Sequence, residues 1–139
     1  MSIGAISWNI LWTYDLPTTA AWYENVLGLK VRIRKESVVS FDTGHTVLNL
    51  MARHDNGPEA NPGTTGWDRN QVLFVFHVED MEAALAELAE RGAEPWHIAP
   101  IVIEGQPKPR WRVAQFMDPE GNVIELCDEP VRWNPFIEL

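Results

Sequence analysis

The chain has 139 residues, 45% hydrophobic and 22% charged, enough for one globular domain with its own core. Its 20 acidic and 11 basic residues give a formal net charge of −9, a surface that repels phosphate backbones and excludes nucleic acid as an expected partner. No apolar run could span a bilayer, no signal-peptide pattern opens the chain, and the single Cys127 rules out an internal disulfide, so a cytoplasmic protein with no membrane partner is expected.

The first predicted unit is "ISWNILWTYDLPTTAAWYENVLGLKV", residues 6–31. A strand leads to Asp15, whose short carboxylate suits the orphan N–H groups at the start of a helix. Ala20, Tyr23 and Leu27 give that helix an apolar stripe, Gly28 suits a left-handed C-terminal cap, and a new strand follows. "SFDTGHTVLNL", residues 40–50, then reads as strand, Asp/Gly turn, strand. Residues 53–70 are rich in Gly, Pro and Asn and form a linker too long for a plain hairpin.

After the linker the pattern returns. "QVLFVFHVEDMEAALAELAERGAEP", residues 71–95, runs strand, Asp80, helix, Gly92, strand, with Ala84, Leu85 and Leu88 as the apolar stripe. Asp80 stands 65 residues after Asp15. A Pro-punctuated segment, "EGQPKPR" at 104–110, interrupts this copy before "QFMDPEGNVIEL" at 115–126, which parallels 40–50, with Phe116 matching Phe41 and Leu126 matching Leu50. Pro119 and Gly121 suit its tight turn. The expected fold is α+β: two βαβββ modules, at about 3–52 and 71–128, followed by a tail at 129–139 that carries Trp133, Phe136 and Ile137.

Alternation assigns the faces. In "VLFVFHV" the uniformly apolar set Val72, Phe74, Phe76 and Val78 belongs under the helix, and Leu73, Val75 and His77 face away from it. Ala114, Phe116, Ile124 and Leu126 join the helix side; Trp111, Val113, Gln115, Val123, Glu125 and Cys127 take the other. In the first strand bulk alone would put Trp8, Ile10 and Trp12 in the core. The repeat reverses this, because Trp8 precedes Asp15 by seven residues as Leu73 precedes Asp80, so Asn9, Leu11 and Thr13 should back onto the helix. The face away from the helices then carries Trp8, Trp12, Asn49, His77, Trp111, Gln115 and Glu125, indoles interspersed with a few polar groups, as in a small-molecule site. Of His45, His54, His77 and His97, only His77 is assigned to this face.

These paired modules, together with "WYENVLGLKV" and "FMDPEGNVIEL", resemble the vicinal oxygen chelate superfamily, the group of glyoxalase I, extradiol dioxygenases, fosfomycin-resistance enzymes and bleomycin-binding resistance proteins. The resemblance covers roughly residues 3–128 and implies sheets curled around outer helices into an open cup, and a homodimer. It also implies that metal-dependent members hold their ion at positions occupied here by Trp8, Asn49, Leu73 and Glu125. A divalent transition metal needs about three protein ligands of imidazole, carboxylate or thiolate type, and only Glu125 is a usual one. His77 stands roughly 13 Å along the strand from Leu73, too far to replace a lost ligand.

Glu125 is left with three roles: a wall carboxylate, a contact for a cationic or N–H-rich ligand, or a buried base. His77 is a wall residue or a general base, and Cys127 a small apolar wall residue. The leading expectation is a metal-free protein that sequesters a hydrophobic or aromatic small molecule in an indole-rich cup, with no cofactor. The alternative is a glyoxalase- or dioxygenase-like enzyme, dependent on a divalent metal or using Glu125 and His77 as acid–base groups. A module with no small-molecule ligand is the third reading.

Overall fold

A computed structural model describes residues 7–44, 46–53, 72–101 and 111–128. His45, His54, Trp67, the Pro-punctuated 104–110 segment and the tail lie outside the described residues. The chain divides into two compact units, Met1–Gly63 and Thr64–Leu139.

The first unit contains β1 (Asn9–Thr13), α1 (Leu16–Asn25), β2 (Lys30–Lys35), β3 (Val38–Asp42) and β4 (Val47–Ala52). Its sheet runs β1-β4-β3-β2, with β1 parallel to β4 and the other pairs antiparallel. The second unit repeats the plan with β5 (Phe74–His77), α2 (Met81–Glu90), β6 (His97–Ile101), β7 (Trp111–Met117) and β8 (Val123–Cys127), in the order β5-β8-β7-β6. Here β5 is parallel to β8 and the others are antiparallel. Two mixed four-stranded sheets, each with one helix, realise the expected α+β fold.

Both helices start where the aspartates predicted. An Asp15 Oδ1 accepts from the Thr18 N–H at 3.1 Å, and an Asp80 Oδ1 from the Ala83 N–H at 3.0 Å, each satisfying one orphan donor of the first turn. Pro17 sits in the first turn of α1, where its missing N–H costs nothing. Gly28 and Gly92 take positive φ of 73° and 82° just past the helix ends, a conformation that a Cβ disfavours.

Helix α1 buries Leu16, Thr19, Ala20 and Tyr23, one stripe at helical spacing. The Tyr23 ring lies 6.2 Å from Phe41 of β3, which ties the helix to its sheet. Around that contact Val39, Phe41, Leu48 and Leu50 are buried. Leu27 lies beyond the helix end and is half-buried. In the second unit Met81 and Leu88 of α2 are buried, as are Ala114, Phe116, Ile124 and Leu126 of its sheet, while Ala84 and Leu85 are half-buried.

The β1 assignment taken from the repeat holds. Thr13 is fully buried, and its hydroxyl donates to the Met51 carbonyl at 3.3 Å, so a polar residue is satisfied on the helix side. Trp8, Ile10 and Trp12 are exposed. Val72 is a correction: it precedes β5 and is 65% exposed, because the strand begins two residues later than the apolar run suggests.

The turn between β7 and β8 is built around Asp118, which is 4% exposed. Its Oδ1 accepts from the backbone N–H groups of Glu120 and Asn122, both at 2.9 Å, and its Oδ2 accepts from the Asn122 side-chain amide at 3.0 Å. The backbone closes with Asp118 N–H donating to the Asn122 carbonyl at 2.8 Å, and Gly121 carries positive φ. This turn sets the register in which β8 returns beside β7, and so decides what lies opposite Glu125.

Candidate functional site

Directly opposed residues on neighbouring strands share a face of the sheet. In the second unit the register places Val75, Glu125, Gln115 and His97 in one row across β5, β8, β7 and β6. At about 4.8 Å between strands, His97 and Glu125 are roughly 10 Å apart along this row. Gln115 is 7% exposed, and its Nε2 donates to Glu125 Oε2 at 2.9 Å. Glu125 is half-buried. Gln115 Oε1 is buried and has no hydrogen-bond partner among the described residues.

The next row on the same face joins His77, Cys127, Val113 and Ala99. His77 is exposed at the end of β5, and Cys127 and Val113 are buried. The backbone of Trp111 lies in β7 opposite Ile101, and its side chain lies outside the described residues.

The first unit carries an equivalent row of Ile10, Asn49, Ser40 and Ile33. Ser40 is buried, and its hydroxyl donates to the Asn49 side-chain carbonyl. Both units therefore have a polar cross-strand pair at the same place, Ser40–Asn49 in one and Gln115–Glu125 in the other. Trp12 lies one row further along, opposite Met51, and is 47% exposed; Trp8 precedes β1 and is 60% exposed.

The structure thus brings Gln115 and Glu125 into contact and puts His77 on the same face two residues further along the strand. It places Trp12 and Asn49 on the matching face of the other unit, with Trp8 exposed just before β1. Two residues escaped the sequence reading. His97 corrects the assignment of His77 as the one histidine on this face: it sits opposite Gln115, a register invisible in sequence because the 102–110 stretch separates β6 from β7. Ser40 was legible in the repeat, since aligning Phe41 with Phe116 also aligns Ser40 with Gln115.

Arg112 points its hydrogen bonds elsewhere. Its guanidinium donates to Glu82, a bond that raises its pKa further above the ordinary arginine value, and its backbone N–H donates to Asp128 Oδ1 at 2.8 Å. Among the described residues, no group of three His, Cys, Asp or Glu side chains is placed to share a metal ion. The places where the resemblance expects ligands hold an indole at 8, an amide at 49 and an isobutyl group at 73 besides Glu125. An indole and an isobutyl group have no lone pair to give, so the residues present do not fit the family's metal centre.

Comparison with known proteins agrees with the architecture. The chain is 28% identical over 121 residues to the uncharacterized protein YraH of Bacillus subtilis (strain 168), covering 81% of this chain and 88% of that one. A solved structure from the mobile metagenome of V. Pseudocholerae is 27% identical, with a TM-score of 0.65 over 91% of this chain and 95% of its own. Lactoylglutathione lyase from Agrobacterium tumefaciens shares the fold at 23% identity and a TM-score of 0.66, over 91% of this chain and 94% of its own. The model of the Glyoxalase/Bleomycin resistance protein/Dioxygenase superfamily matches residues 4–126. With nearly the whole chain matched and both modules in place, this protein belongs to that superfamily.

Proposed function

We propose that this protein is a metal-free binder of a hydrophobic or aromatic small molecule, held on a sheet face turned away from its helix. The observation that carries the reading is the replacement of the family's ligand positions by Trp8, Leu73 and Asn49, with Glu125 tied to Gln115. Exposed Trp8 and Trp12, with Ile10 and Ile33, present more apolar area on one face than a solvated sheet needs. Indoles are suited to stack on flat or cationic ligands. The working form we propose is a cytoplasmic homodimer, in keeping with the family resemblance.

A panel of planar aromatic compounds titrated against tryptophan fluorescence, beside elemental analysis after incubation with Zn, Ni, Mn and Fe(II), tests this. Saturable quenching by some of the panel without stoichiometric metal is the expected result. Stoichiometric metal that is lost in Glu125→Ala would overturn it in favour of a metal-dependent enzyme.

The second reading is a catalyst that uses Glu125 as a base, with His77 further along the face. It draws on the position of Glu125, a half-buried carboxylate oriented by a neighbouring amide. Converting Glu125 to Gln separates the two: a binder keeps most of its affinity for neutral ligands, whereas an enzyme loses turnover by orders of magnitude.

A further inference from the structure

Gln115 and Glu125 of the second unit are arranged to receive hydrogen-bond donors. Gln115 gives its amide N–H to Glu125, and a carboxylate only accepts, so this bond sets which way round the amide lies. Flipping it would put the carbonyl oxygen against the carboxylate. The carbonyl Oε1 is therefore held in an orientation where it has no partner among the described residues, although Gln115 is more than nine-tenths buried. A buried acceptor left in that state is costly unless a donor arrives.

Glu125 is in a similar position. Its one described hydrogen bond comes from a neutral amide, and it has no ion pair among the described residues. The described residues on this face include His77 and His97 but no lysine or arginine. Arg112, the one arginine in these strands, pairs with Glu82 and Asp128. Among the described residues the carboxylate is thus answered by no lysine or arginine of this face, and Gln115 Oε1 adds a second acceptor beside it.

We propose that Gln115 and Glu125 form a subsite for the protonated nitrogen end of the ligand, an ammonium, amidinium or guanidinium group attached to an apolar, flat body. A nitrogen with two or more N–H bonds has donors for both the amide oxygen and the carboxylate, and its charge complements the carboxylate. The inference rests on the ligand-binding reading above and narrows the ligand to cationic aromatics.

Calorimetric titration with 9-aminoacridine, which is protonated at neutral pH, and with acridine, its neutral parent of nearly the same shape, tests the subsite. The cation should bind roughly ten- to a hundredfold tighter, the range of one charge-assisted hydrogen bond. In Glu125→Gln the ratio of the two affinities should fall to about one. In Gln115→Met the cation should weaken by about tenfold, and thermal melting of each variant checks that it folds. Equal binding of both dyes by the unaltered protein overturns the subsite and leaves the aromatic-binding reading standing. Binding of neither dye overturns both.

Discussion

At the scale of single residues, the informative groups are polar ones in apolar surroundings. Asp118 gathers two backbone N–H groups and one side-chain amide with two oxygens, so it organises the β7–β8 turn rather than taking part in binding. Asp118→Ala leaves those donors unmet and should cost about 2–3 kcal/mol in urea unfolding. Asp118→Asn keeps one acceptor oxygen for the backbone donors and should cost clearly less; equal losses would mean that the turn does not depend on these bonds. Thr13→Val removes the hydroxyl that meets the Met51 carbonyl and should cost about 1 kcal/mol, despite being more apolar. Glu125 is a different case, because its partner Gln115 keeps an oxygen that no described residue meets, and the subsite proposed above gives that oxygen a donor.

At the scale of elements, the two modules use the same devices with unequal side chains. Both helices are capped by aspartate and both end before a glycine of positive φ. Asp80→Ala should lower stability by about 1 kcal/mol, as should Asp15→Ala, read from the melting transition. At Gly92 a Cβ would meet nothing within 4 Å, so Gly92→Ala carries only the backbone cost of a left-handed residue, about 1 kcal/mol, and Gly92→Asn should cost less. Strand alternation and the 65-residue repeat were enough to assign most faces, including that of β1, where bulk pointed the wrong way. The place of His97 was not legible, since cross-strand register over a long connection depends on how the strands pair in space.

At the scale of the whole molecule, the proposed dimer and the proposed ligand compete to explain the same exposed apolar face of the first unit. Sedimentation equilibrium should show two copies, and Trp12→Lys should leave that assembly intact while abolishing most of the quenching by an aromatic probe. A monomeric Trp12→Lys protein that still binds the probe would reassign the face to the dimer contact. No described helix is long and apolar enough to cross a membrane.

The sequence by itself determined the α+β class, the duplicated βαβββ plan, the helix starts and the superfamily, because caps, periodicity and a turn motif are local and repeat at a fixed offset. It also showed that three of the positions where the resemblance puts metal ligands carry Trp8, Asn49 and Leu73, since that depends on residue type alone. Tertiary structure decided which polar groups meet. The Gln115–Glu125 bond, the orphaned amide oxygen and the alignment of His97 follow from strand register, and register is set by pairing between segments far apart in the chain.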